Sequence, residues 1–289
     1  MKKFFLVLVI QFISYVPFMQ VRAAEQPTVD FSDLLVKITS AVALEEFGEN
    51  QLKPSSSLSF TEQASQLAFQ PLSTTPVQSY FPLNNNDIRR YSGTVHGTTY
   101  STTMRYSSVN YNGRSCFRED DSIDGSIAYY GYNAGEVQMY GVMVDNVSYP
   151  FQSPLTFLND TILTNGGSLQ SSTTFVVQGM TITLNVTVNS SPTGSVTTSL
   201  GEVTDCRSIA MDFSYIIPGE SGTLDLREVW ILAPGVGKVQ IAMMDQNMNN
   251  LGWMTIIDGT VGGQNVSDII NPNPPRVDSL PFMMLLLSE

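Results

Sequence analysis

The chain is poor in the residues that carry covalent and metal chemistry. It holds one His and two Cys in 289 residues. Ser-His-Asp catalysis needs an imidazole between nucleophile and carboxylate. His96, the sole candidate, sits in the turn context Val95-His96-Gly97, and no Gly-x-Ser-x-Gly elbow accompanies it. Zinc and iron sites need several His or Cys at short spacing, which this composition cannot supply. Charge is also scarce, at 14% of residues, and the basic share is small: 14 Lys+Arg against 26 Asp+Glu. That balance opposes nucleic acid and anionic lipid headgroups as partners. No Gly-rich phosphate loop occurs. No apolar run reaches the ~20 residues of a membrane-spanning helix, so no integral span is expected. We therefore assign no catalytic residue, no metal ligand and no cofactor.

What is present begins with an export signal. Lys2 and Lys3 precede a largely apolar stretch from Phe4 to Val16, and Val21-Arg22-Ala23 offers small residues for cleavage. Removing residues 1–23 takes three of the 14 basic groups and none of the 26 acidic ones, leaving 11 against 26 and a net charge of −15. A periplasmic or extracellular address follows. In such a compartment two cysteines suggest a disulfide, here Cys116–Cys206. Closing a loop of about 90 residues would add roughly 4–5 kcal/mol in the chain-entropy model. The alternative is two buried free thiols.

Residues 24–50 carry the one helical pattern, with Phe31, Leu34, Leu35, Ile38, Val42 and Leu44 at helical spacing. Residues 51–77, rich in Ser, Thr, Gln and Pro, predict a linker or an irregular wrap. From 78 to 260 the pattern is β. Thr181–Asn189 alternates without a fault: Ile182, Leu184, Val186 and Val188 face one way, and Thr and Asn the other. One buried face and one wet face mark an antiparallel sheet. Leu224, Leu226, Glu228, Trp230 and Leu232 share a face of another strand, which enters Ala233-Pro234-Gly235-Val236-Gly237 and returns as a hairpin. Residues 145–167 predict a loop, being rich in Asn, Pro and Gly. The tail, 261–289, is broken by Pro and then apolar. Strands spaced by short turns, without intervening helices, predict a mainly β fold: an antiparallel curved sheet or half-barrel with one N-terminal helix.

The remaining constellations are weak. Glu119-Asp120-Asp121 with Asp124-Gly125 is the densest acidic cluster, but its spacing departs from an EF-hand loop and Asp-Gly suits a hairpin turn. Glu202, Asp212, Asp225 and Glu228 could in principle supply the two facing carboxylates of a glycosidase. Five Asn-x-Ser/Thr sequons, at Asn146, Asn159, Asn185, Asn189 and Asn265, matter only in a glycosylating host. Aromatics concentrate in the first half of the β region, where they serve cross-strand pairing or line an apolar site.

Three segments together resemble a known group: Tyr80-Phe81-Pro82-Leu83; Gly201-Glu202-Val203-Thr204-Asp205-Cys206-Arg207-Ser208-Ile209; and Glu228-Val229-Trp230-Ile231-Leu232-Ala233-Pro234-Gly235-Val236-Gly237-Lys238-Val239. Their order is similar to that in secreted bacterial proteins of unknown function, the TapB-like proteins. The Gly and Trp that follow the first motif in that group are absent here, where Asn84-Asn85-Asn86-Asp87-Ile88-Arg89-Arg90-Tyr91 stands instead. The group resembles in shape the LolA/LolB-type carriers, whose half-open barrel shelters acyl chains. The resemblance implies an envelope address and an apolar ligand, and it implies no catalytic residues. The expectation is an exported, non-enzymatic protein that binds a lipid-like ligand or docks an envelope protein. Alternation places Tyr130, Tyr140, Leu184, Val186, Phe213 and Trp230 on the lining. A structural or adhesive surface component is the alternative, and a carbohydrate-active enzyme a third.

Overall fold

The structure is a computed structural model that describes residues 75–95, 97–123, 125–219, 222–244 and 249–272. The expected signal peptide and N-terminal helix, nearly all of the expected linker, His96, Asp124 and the tail from 273 onward lie outside the described residues.

Among the described residues the β region forms one 13-stranded antiparallel sheet. Its strands are β1 (Ile88–Val95), β2 (Thr98–Tyr111), β3 (Arg114–Asp121), β4 (Ile127–Asn133), β5 (Glu136–Val144), β6 (Val147–Asn159), β7 (Gly167–Val177), β8 (Met180–Thr198), β9 (Gly201–Ile216), β10 (Thr223–Ala233), β11 (Gly237–Met244), β12 (Asn250–Val261) and β13 (Gln264–Asn265). Consecutive strands pair from β1 through β6 and again from β7 through β12, with β6 and β7 at the two ends of the order. β1 also pairs with β12, which joins the two halves, and β13 is a short addition to β12. The sheet therefore curls further than a half-barrel, into a nearly closed barrel. Full closure is how antiparallel sheets dispose of their edges.

Hairpin chemistry explains the meander. Asn112-Gly113, Ala134-Gly135, Asp145-Asn146, Gln178-Gly179 and Gly262-Gly263 all have φ > 0 at both positions, and each joins two strands across two residues. That is the type I′ geometry whose twist matches the strands it connects. The Asp145-Asn146 turn corrects the expectation of a loop over 145–167. β6 and a short helix, α1 (Asp160–Asn165), occupy that span. Pro150 and Pro154 mask β6 in the sequence, because proline reads against a strand interior. They are tolerated here because β6 lies at the end of the paired path.

The seam between β6 and β7 carries no backbone ladder. Hydroxyls take its place. Thr173 Oγ1 donates to the Ser153 carbonyl at 2.7 Å and accepts from the Ser153 N–H at 3.4 Å, while Ser171 Oγ accepts from the Thr156 N–H at 3.0 Å.

The two ends of the barrel differ. At one end lie α1, the helices α2 (Pro76–Tyr80) and α3 (Val266–Ile270), and the Ala233–Gly237 turn. Phe81 enters the barrel from α2. Its carbonyl accepts from Tyr132 Oη at 2.6 Å, and Tyr132 Oη accepts in turn from the Leu83 N–H at 2.8 Å. Arg89, buried, donates to the carbonyls of Val236 (2.9 Å) and Pro82 (2.8 Å), tying this plug to the β10–β11 hairpin. At the other end the described residues are turns.

Cys116 and Cys206 are free and buried, which corrects the expected disulfide. They lie on β3 and β9, six strand steps apart in the sheet order. With strands ~4.8 Å apart, that places the two thiols on different parts of the wall.

Candidate functional site

The inward face of β10 organises the interior. From the turn end it presents Leu224 and Leu226, half-buried, then Glu228 and Trp230, fully buried. Strand alternation puts these residues in one column. Phe213 and Tyr215 on β9 pair with Leu226 and Leu224, and Val186 and Leu184 on β8 pair with Phe213 and Tyr215. The wall toward the turn end is therefore aliphatic and aromatic, completed by Phe175 and Ile182. Deeper, Trp230 stacks on Phe81 at 5.8 Å and meets Phe157 edge-on at 5.9 Å, and Tyr130 packs against the same two rings at 5.5 and 5.4 Å.

A polar network crosses this aromatic floor. Lys238 on β11 holds both carboxylate oxygens of Glu119 on β3, at 3.0 and 3.3 Å, and lies 4.0 Å over the Trp230 ring. Tyr106 Oη donates to Glu119 as well. A buried pair of this kind must be well bonded to offset its desolvation. Here the carboxylate has two donors, and the ammonium has an anion and a ring. Trp230 Nε1 donates to Glu228 Oε1, while Glu228 Oε2 and the Tyr130 hydroxyl have no hydrogen-bond partner among the described residues. Burial pushes the Glu228 carboxyl well above the ordinary glutamate range, against the pull of Lys238 and the Trp230 N–H. Burial likewise raises Tyr130 well above the usual phenol value, helped by Glu119 and Glu228. Tyr132 is pushed up to about 12, also by burial.

Of the six residues predicted to line the site, Tyr130, Leu184, Val186, Phe213 and Trp230 are buried in the interior. Tyr140 is not among them. It is the extra residue where Tyr129 pairs with Gly141 and Tyr130 with Met139. A bulge of this kind reverses the alternation, so inward Val137 and Met139 are followed by inward Val142 and Val144. Tyr140 faces outward with Tyr111, Cys116, Ile127 and Tyr129, under Arg114 at 5.2 Å. Sequence reasoning missed Phe81, Arg89, Tyr106, Glu119 and Lys238. Glu119 is hidden in an acidic run, where only the parity that separates it from Asp120 marks it as inward. Lys238 carries no signal at all.

The acidic constellations disperse. Asp120 points outward to Arg118, at 2.8 and 2.9 Å from its Nε, while Asp121 accepts from Thr102 and from the Ile123 N–H. Asp212 pairs with Arg227 on the outer face, Asp225 accepts from Thr223 and is exposed, and Glu202 is exposed. Only Glu228 of the four possible glycosidase carboxylates faces inward. Among the described residues no group of three or more His, Cys, Asp or Glu is placed to hold a metal ion. No helix among them is long and apolar enough to cross a membrane.

No protein-family model matches the chain, and no curated protein does. Among solved structures it is similar to a candidate lipoprotein from Parabacteroides distasonis, at 11% identity and TM-score 0.37, over 65% of this chain and 98% of that one. It is also similar to a candidate exported protein with a YmcC-like fold from Bacteroides fragilis, at 9% identity and TM-score 0.28, over the same 65% and 98%. At these scores the likeness carries no argument about function.

Proposed function

We propose that the protein is an exported, non-enzymatic binding module that takes an apolar, lipid-like ligand into the barrel from the turn end. The signal-peptide pattern of residues 1–23 and the resemblance to the TapB-like proteins support the envelope address. One observation carries the binding reading. Among the described residues the barrel is asymmetric, with Phe81 and three short helices at one end, while toward the other the inward Leu224 and Leu226 are half-buried beside buried Phe213 and Tyr215. Partly wet aliphatic side chains on an inner wall are what an apolar ligand would cover. Assembly through strand edges, the adhesive alternative, has less support, because β6 and β7 turn the two edges of the sheet on each other.

The mature chain incubated with detergent-solubilised envelope lipids should emerge in native mass spectrometry with one bound species. Leu226→Asp puts a charge on the half-buried rung and should abolish the adduct while leaving the circular dichroism unchanged. Recovery of bare protein from every lipid fraction would remove the carrier reading.

A further inference from the structure

Two buried polar atoms of the interior point to the kind of ligand. Glu228 Oε2 and Tyr130 Oη are both buried and, among the described residues, both without a hydrogen-bond partner. Native interiors rarely leave such atoms unpaired. Glu228 is held by Trp230 Nε1, Trp230 and Tyr130 pack on the same pair of rings, Phe81 and Phe157, and the Glu228 charge bears on the Tyr130 phenol. Glu228 is also the next inward residue after Leu224 and Leu226 on β10. Resting on the binding reading above, we propose that Glu228 Oε2 and Tyr130 Oη hold the uncharged hydroxyl or carbonyl head of a single-chain amphiphile whose tail lies along Leu226 and Leu224.

The charges around the pair decide against an ionic head. Arg89 is spent on two carbonyls and on Asp87, and Lys238 on Glu119. An anionic head beside Glu228 would meet Glu119 and Asp121, both of which already bear on it. A cationic head would meet Lys238, 4.0 Å over the Trp230 ring that holds Glu228. A neutral hydroxyl suits both groups, since it can donate to the Glu228 oxygen and accept from the Tyr130 hydroxyl. An ordered water is the competing occupant, and it would leave the protein indifferent to the head of the ligand.

The test uses the mature chain and displacement of the fluorescent probe N-phenyl-1-naphthylamine by 1-decanol, decane, decanoate and decylammonium. Decanol should bind at least about tenfold more tightly than the other three, the scale of one or two buried hydrogen bonds. Tyr130→Phe and Glu228→Leu should each bring decanol to the level of decane, and Glu228→Gln, which keeps a donor and an acceptor, should stay within about threefold of the wild type. Tyr130→Phe removes a single oxygen, so it serves if the Glu228 variants fail to fold. Equal affinity for decanol and decane, a preference for either ion, or a decanol preference untouched in Tyr130→Phe would overturn the proposal while leaving the apolar-carrier reading in place. Failure of the probe and of all four compounds to bind would overturn both.

Discussion

At the scale of single residues, Glu228 is the most informative group in the molecule. Its folded pKa lies above its unfolded value because burial disfavours the carboxylate. In the window between the two values the folded state binds more protons than the unfolded state. Stability is therefore complete below the unfolded value near 4.5 and falls as pH rises toward the folded value. Glu228→Gln keeps the size and the bonding but cannot ionise. The unfolding free energies of wild type and variant should agree near pH 4 and diverge above it, the variant gaining about 1.4 kcal/mol per pH unit within the window. Denaturant midpoints from pH 4 to 9 measure this. Parallel curves would mean that the carboxyl ionises without cost, and so is not buried as described. Asp87 is raised in the same direction by burial, and it is common to both proteins, so it cancels in the comparison. The inward position of Glu228 was legible, because Leu224, Leu226 and Trp230 alternate with it. Its partners were not, because nothing in a linear pattern announces that Lys238 of β11 will reach Glu119 of β3 across the barrel.

Among the elements, β8 and β6 mark the two extremes of legibility. The alternation of Thr181–Asn189 placed Ile182, Leu184, Val186 and Val188 on the inner face, and all four are buried. β6 was hidden by Pro150 and Pro154, which break a central strand and suit an edge. Tyr140 was misplaced because a bulge adds one residue, and a one-residue slip reverses every side chain beyond it. The edge position of β6 also has a dynamic consequence. Where other neighbours share ladders, β6 meets β7 through Thr173 Oγ1 and Ser171 Oγ. Each such bond contributes about 1 kcal/mol, and they are few. Amide exchange at Ser153 and Thr156 should be faster than at the paired centres of β8 and β9. The double variant Thr173→Val, Ser171→Ala should raise it by roughly a further tenfold, as expected when local opening loses about 1.4 kcal/mol, without changing exchange in β8 or β9. Unchanged exchange at those two amides would show that the hydroxyls do not hold the seam.

For the whole molecule, the absent disulfide shifts the burden of stability onto closure of the sheet. A bridge would have acted by restricting the unfolded chain. Without one, the fold rests on the burial of both walls of the barrel and on the β1–β12 pairing that unites them. Cys116 sits in the outward cluster with Tyr111 and Tyr129, and Cys206 on β9 donates to the Val203 carbonyl at 3.3 Å. The Cys206 thiol is pushed up to about 11 by burial, so at neutral pH it carries almost no reactive thiolate. Three results should follow for the purified protein. Its melting temperature should be the same with and without a reductant. Both cysteines should resist an aromatic disulfide reagent in native buffer. Both should then react together in denaturant, since closure through β1–β12 makes the two thiol-bearing walls one cooperative unit. A reductant-dependent fall of several degrees would restore the bridge that the export signal led us to expect. Labelling of Cys116 well before Cys206 would instead separate the β2–β5 wall from the rest of the barrel, and with it the assumption that a ligand held at Tyr130 on β4 and Glu228 on β10 is gripped by a single rigid body.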